Sequence, residues 1–187
     1  ETKLIGEWMM ADCERAWDLK WIGLRYFNVA GAGWPDLADD AVMNLIPMVL
    51  DRVERGESAK IFGTDYDTPD GTCIRDYIHV LDLAEAHIAA LDVLAEGRQP
   101  DHHTYNVGTG LGTSVREIVD GLRRVIGWDF PVEELDRRAG DPPELIGDPL
   151  SIGVDLGWKA NNGVEEILTS AWEGWQAGPR PITVPGA

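Results

Sequence analysis

Between Thr104 and Gly127 the chain passes from a short strand-like run, Thr104-Tyr105-Asn106-Val107, through the turn Gly108-Thr109-Gly110-Leu111-Gly112, into a helix signalled at both ends. Ser114 and Glu117 have the spacing of a capping box, in which each side chain takes up a backbone N–H that a helix start leaves orphaned. Val115, Ile118, Val119, Leu122, Val125 and Ile126 then recur on one helical face, and Gly127 ends the run. A strand that feeds an amphipathic helix confines the chain to folds in which helices pack on a sheet.

The same alternation continues along the chain. Leu4, Ile5, Trp8, Ala11 and Ala16 give residues 2–17 an apolar helical face, and residues 21–27 read as a strand ending in a loop over 28–33. Residues 44–55 read as a helix, with Pro47 in its first turn and Gly56 at its C-terminal cap. A strand at 59–62 and a turn-rich stretch over 63–71 follow. Val80, Leu83, Ala84, His87, Leu91 and Leu94 mark the next helix, with Asp82 in its first turn. Leu156-Gly157-Trp158 closes a short segment, and a last helix over 163–176 precedes an extended tail, 178–187, containing three prolines. This pattern predicts an α/β or α+β architecture in one structural unit over 1–187, without repeats, low-complexity tracts or a linker.

Sixteen Lys and Arg face 33 Asp and Glu, and the net charge of −17 argues against nucleic acid and anionic membrane as partners. A small anion could bind only where a few arginines are focused locally. No apolar run approaches the about 20 residues that span a bilayer, and nothing resembles a secretory leader. Cys13 and Cys73 lack metal-type spacing and read as free thiols of a reducing compartment, so a cytoplasmic location is expected. The chain opens on Glu1-Thr2-Lys3, without methionine and already helical in pattern, as expected of a fragment or a processed chain.

Local chemistry leaves several motifs open. The turn at Gly108–Gly112 lies where a phosphate loop would lie, but it is not G-x-G-x-x-G and no acidic residue stands at ribose distance, so a tight structural turn is expected. His102-His103 reads as a solvated loop rather than a metal site, and His79 and His87 read as structural histidines. Arg75 follows a turn rich in Asp65, Asp67 and Asp70; either those carboxylates hold it, or it is presented in a pocket as a phosphate fork. Arg137-Arg138-Ala139-Gly140-Asp141 is either a surface charge cluster or an anion clamp.

Residues 61–82, running from Ile61-Phe62-Gly63-Thr64 to Cys73-Ile74-Arg75-Asp76-Tyr77-Ile78-His79-Val80-Leu81-Asp82, resemble a signature of the UDP-galactose 4-epimerase family of extended short-chain dehydrogenases. Leu24 to Ala32, Asn44 to Pro47, Tyr105 to Gly110, Arg137 to Asp141, and Asp148-Pro149 through Trp158 fit the same family in order. The resemblance implies the C-terminal, UDP-sugar-binding part of an extended Rossmann-type enzyme, with the last elements of its parallel sheet. The N-terminal NAD-binding Rossmann domain is absent from the match. The family's Tyr-x-x-x-Lys motif would place its lysine at Lys3 and its tyrosine two residues before Glu1, so the chain alone is expected to be inactive.

By the same resemblance, Lys3 belongs to the catalytic pair and the NAD site, and Phe27 approaches the cofactor. Asn28, Asn44 and Leu45 contact the sugar diphosphate region. Lys60, Ile61 and Phe62 border the uracil, Arg75 and Arg138 clamp the diphosphate, and Asp141 holds the ribose. Leu145 occupies the position that sets tolerance for N-acetylated sugars. The helix from Lys3 to Trp17 belongs to a dimer-forming surface, which implies a homodimer for the intact enzyme. A UDP-N-acetylglucosamine 4-epimerase and a non-catalytic module that binds nucleotide sugars or dimerises are the competing readings. Without the cofactor domain, apolar surface on the 2–17 helix and the 21–27 strand is expected to lie uncovered.

Overall fold

Three parallel strand pairs and one three-stranded ladder organise the chain in the computed structural model, which describes residues 2–39, 41–98 and 102–178. In order the elements are α1 (Thr2–Trp17), β1 (Gly23–Tyr26), β2 (Asn28–Ala30), α2 (Leu45–Glu54), β3 (Ala59–Phe62), β4 (Ile74–Arg75) and β5 (Tyr77–His79). Then follow α3 (Val80–Ala95), β6 (Thr104–Val107), β7 (Thr113–Ser114), α4 (Val115–Ile126), β8 (Val132–Leu135), β9 (Glu144–Leu145), α5 (Leu150–Leu156) and α6 (Val164–Ala177). The parallel pairs are β1 with β6, β2 with β5 and β3 with β8, whereas β4 lies between antiparallel β7 and parallel β9. This is the parallel-sheet α/β fold that the strand–helix alternation implies. The prolines of the tail, at 179 and beyond, lie outside the described residues.

The strand expected over 21–27 is shorter, and the loop expected after it is partly a strand. At Phe27 the chain changes partners: Phe27 N–H reaches Val107 O at 3.4 Å, whereas Asn28 N–H donates to Asp76 O at 3.0 Å. Asn28-Val29-Ala30 then pairs with Tyr77-Ile78-His79. Three residues carry too little alternation to announce a strand locally; only the distant partner makes them one.

The capping box forms as read: Ser114 Oγ accepts from Glu117 N–H at 3.0 Å, and Ser114 N–H donates to Glu117 Oε2 at 2.7 Å. Gly127 closes α4 in the left-handed conformation, at φ 73°. The buried face of α4 meets α2, β3, Phe130 and α6 in the larger of two core clusters. The smaller cluster joins Ile78, Ala86, Tyr105, Val107, Ile152 and Trp158.

The inward face of α3 is not the one its large apolar residues suggest. Ala86, Ala90 and Val93 are buried, while Leu91 is 63% exposed, because small side chains let the helix approach the strands closely. Asp82, expected merely to complement the helix dipole, is fully buried and accepts from Asn161 N–H, Asn162 N–H and Asn162 Nδ2 at 3.0–3.1 Å. On α1 no residue is buried, and Trp8 stands 61% exposed, so its apolar stripe is uncovered as anticipated. The histidine pair is not a free loop. His102 Nδ1 lies 2.9 Å from Asp155 Oδ2, which also accepts from Tyr105 Oη, and His103 stacks on Trp21 with centroids 5.2 Å apart.

His79 caps α3, its Nδ1 accepting from Leu81 N–H at 3.1 Å while Nε2 lies 3.0 Å from Ser170 Oγ. Only the neutral ring, protonated at Nε2, can do both. Burial holds its pKa below the ordinary 6.5. A lowered folded-state value contributes stability above the unfolded pKa, and that contribution is lost as pH falls through the folded value. The urea midpoint should therefore drop more between pH 7 and pH 5 in the wild type than in His79→Asn, where the cap does not titrate; equal drops would mean that His79 is not a source of the pH dependence.

Candidate functional site

Period-two alternation along β3 sends Ala59 and Ile61 into the core and leaves Lys60 and Phe62 on the wall of a cleft of about 230 Å³. The start of α2 forms a second wall through Asn44, Leu45, Met48 and Arg52. Asn44, Met48 and Arg52 stand at i, i+4 and i+8, a spacing that places them on one helical face. Asn44 makes no side-chain cap, so the first N–H groups of α2 lack a side-chain acceptor, a setting that favours anions. The third wall brings Cys73, just before β4, Arg75 of β4 and Tyr77 of β5 together with Arg138 and Asp141.

Of the three guanidiniums at the cleft, Arg52 meets Glu57, and the other two are held differently from it and from each other. Arg75 donates from Nη1 to its neighbour's carbonyl, Ile74 O, at 2.8 Å, and from Nη2 to Asp141 Oδ1 at 3.3 Å. Arg138 has its guanidinium carbon over the Phe62 ring, 3.8 Å from the centroid, and makes no ion pair among the described residues. Stacking on an aromatic face fixes the plane of the guanidinium while leaving its edge N–H donors uncommitted. The adjacent Arg137 is turned away, bonded to Asp65 and lying 4.2 Å from the centroid of the Tyr66 ring. The pair Arg137-Arg138 thus divides into one surface clasp and one cleft residue. Asp70, for its part, is occupied by Thr72 and Ser114, so the turn carboxylates do not hold Arg75.

A second cleft of about 350 Å³ opens alongside, lined by Phe27, Val29, Ala30 and Gly31, and shares Asn28, Asn44, Leu45 and Tyr77 with the first. Tyr77 was not singled out from the sequence, yet it borders both. Burial pushes its phenol up to about 12, so it stands as a neutral hydroxyl near pH 7 rather than as a base. The Phe27 ring packs over Gly108 and Gly147, where a Cβ would collide with it or with Asp76.

Asp76 is the fixed point behind these walls. Fully buried, its carboxylate accepts from Thr109 N–H at 2.9 Å, Thr109 Oγ1 at 2.7 Å, Gly110 N–H at 3.0 Å and Gly147 N–H at 3.2 Å. Its own N–H donates to Leu145 O at 3.2 Å. The turn at 108–110 is therefore structural, as expected, because the N–H groups of Thr109 and Gly110 are already taken.

Of the residues expected to form a site, Asn28, Asn44, Leu45, Lys60, Phe62, Arg75, Arg138 and Asp141 share the first cleft, and Phe27 lines the second. Three do not join them. Ile61 is 1% exposed and its side chain belongs to the core, by the alternation of β3, so the expectation that it borders a ligand fails for the side chain. Lys3 lies exposed on α1 and lines neither cleft. Leu145 is half exposed and lines neither, although β9 sets it in register with Arg75. Met43, Met48, Val49, Arg52, Cys73, Tyr77 and Val115 complete the first cleft without having been anticipated; helical spacing from Asn44 could have found Met48 and Arg52.

A model of the NAD dependent epimerase/dehydratase family matches residues 1–108. The UDP-glucose 4-epimerase of Rhizobium leguminosarum bv. trifolii is 41% identical over 180 residues, covering 94% of this chain and 54% of that protein. The crystal structure of UDP-glucose 4-epimerase from Brucella ovis in complex with NAD superposes with a TM-score of 0.85 at 43% identity, covering 92% of this chain and 55% of that one. The Bifidobacterium longum enzyme in complex with NAD+ and UDP gives a TM-score of 0.81 at 32% identity over 96% of this chain and 55% of that one. The chain spans about half the length of the curated relatives it matches.

Replacing Asp76 by alanine would strand buried donors from two separate loops at once. Asp76→Ala should lower the urea-unfolding free energy by about 3 kcal/mol or more. A loss below about 1 kcal/mol would show that water replaces the carboxylate at little cost.

Proposed function

Since the chain belongs to the NAD dependent epimerase/dehydratase family, we propose that it is the UDP-sugar-binding part of a UDP-glucose 4-epimerase, which interconverts UDP-glucose and UDP-galactose. One observation carries the reading: Arg75 and Arg138 meet at one cleft, beside an uncapped helix start, in a chain of net charge −17. Such an acidic molecule can hold a diphosphate only where cations are concentrated locally. Arg75 and Arg138 clamp the diphosphate, Lys60 and Phe62 border the base, and Asp141 takes the ribose hydroxyls. Asn28, Asn44 and Leu45 stand between the two clefts and contact the sugar diphosphate, and Leu145 holds the position that sets tolerance for N-acetylated sugars.

NAD, when bound, supplies the hydride acceptor for the sugar carbon. Phe27 offers a ring wall facing that side, and Lys3 would assist a catalytic tyrosine. The Thr109 and Gly110 N–H groups, however, are committed to Asp76, so this turn does not cradle the cofactor's phosphates. This chain's own contribution is then to anchor the nucleotide firmly while the hexose stays free to turn. The exposed stripe of Leu4, Ile5, Trp8 and Met9 on α1 supports a homodimer of the intact enzyme. We treat residues 1–187 as a single unit acting in the cytoplasm; among the described residues no helix is long and apolar enough to cross a membrane.

Calorimetric titration with UDP-glucose tests the reading. Arg75→Ala should weaken binding about tenfold or more, as loss of a charge-assisted pair implies. Equal affinity for both proteins, or binding by neither, would remove this cleft as the UDP site. Supplied with NAD+, the chain alone should not interconvert UDP-galactose and UDP-glucose at an enzymatic rate; turnover in a coupled assay would overturn that expectation.

A further inference from the structure

We infer that Asp141 is a built-in counterion of Arg75, and that it makes the cleft select anions carrying hydroxyl donors beside their charge over bare polyanions. It rests on the reading of the cleft as a nucleotide-sugar site and goes beyond it by assigning the carboxylate a role before any ligand arrives.

The Arg75 side chain is only 12% exposed, whereas Asp141 is 40% exposed, so the arginine is the fixed member of the pair. Its Nη1 is tied to Ile74 O at 2.8 Å, while Nη2 meets Asp141 Oδ1 at 3.3 Å. Charge-assisted N–H···O bonds close to about 2.7–2.9 Å, so this contact is loose and displaceable. Asp141 sits at the end of a short turn, its own N–H donating to Arg138 O at 3.4 Å, and can move without disturbing a core residue. Among the described residues Arg75 makes no other ion pair; Asp65 is bonded to Arg137, and Asp70 to Thr72 and Ser114. Arg138, stacked on Phe62, has no such counterion among the described residues, whereas Arg52 and Lys60 on the same cleft meet Glu57 and Glu133, so Arg138 is the cleft's open cation.

Nη2 carries two N–H groups, and a ligand that takes over the one now given to Asp141 displaces the carboxylate. A bare polyanion does so while adding negative charge beside the abandoned carboxylate, and like charges at that range repel. A ligand with hydroxyls next to its diphosphate instead donates O–H groups to the carboxylate, replacing the N–H that it gave up. Asp141 thus disfavours inorganic polyphosphate and tolerates a nucleoside diphosphate, although both satisfy the arginines equally.

The test is a set of titrations of wild type, Asp141→Asn and Asp141→Ala with inorganic pyrophosphate and with UDP at one ionic strength, with thermal melts to confirm folding. Both variants should bind pyrophosphate about fivefold or more tightly than wild type and UDP no more tightly, so that the preference for UDP shrinks by that factor. If UDP binds wild type and Arg75→Ala weakens it, yet the Asp141 variants keep the same preference, Asp141 is not the counterion and the nucleotide-sugar reading still stands. If UDP fails to bind wild type at all, that reading falls and the inferred selectivity falls with it.

Discussion

Asp76 carries more of this structure than its single charge suggests. A carboxylate removed from water is tolerable only when its lone pairs are filled, and here donors from 108–110 and Gly147 fill them. Because Asp76 lies between β4 and β5, satisfying it draws three distant stretches of chain to one point. Arg75, the residue before it, is thereby set in register with Leu145, and Tyr77, the residue after it, is set against Asn28. The position of the cleft wall that carries Arg75 and Tyr77 is a consequence of that internal hydrogen-bond account.

The cleft also shows how an acidic protein can present positive charge. Most arginines here are already answered by carboxylates: Arg25 by Glu7, Arg52 by Glu57, Arg116 by Glu134 and Arg137 by Asp65. Arg138 escapes because an aromatic ring, not an anion, supports it. Its neighbour Arg75 is only loosely answered. Arg137 and Arg138 both rest on aromatic rings, but only Arg137 also meets a carboxylate, so adjacent positions in the sequence differ in whether their charge is answered among the described residues.

Two helices leave apolar surface open. On α1 the side chains of Trp8 and Met9 face water, and on α3 those of Ile88 and Leu91 do. The helices differ in cause. α1 buries no residue at all, whereas α3 is well seated through Ala86, Ala90 and Val93 and simply carries its larger residues on the far side. Periodicity identifies an amphipathic helix but does not say which of its apolar residues are seated: on α3 Leu83 packs against the core and Leu91 does not.

What the sequence by itself determined are the features whose causes lie within one turn or one strand. The capping box of α4, its apolar face and its terminal glycine are local and appear as read. So do α1, α2, β3 and β6, together with the gathering of Arg75, Arg138 and Asp141, which the resemblance of residues 61–82 and 137–141 made legible. Tertiary structure alone decided the rest. The switch of partners at Phe27, the strand at 28–30, the burial of Asp82 and the anchoring of His102 all depend on groups far away in sequence. The choice between carboxylates for Arg75 was of the same kind: Asp65, Asp67 and Asp70 are near in sequence, but Asp141 is near in space. An ion pair is set by distance through space, and only folding establishes that distance.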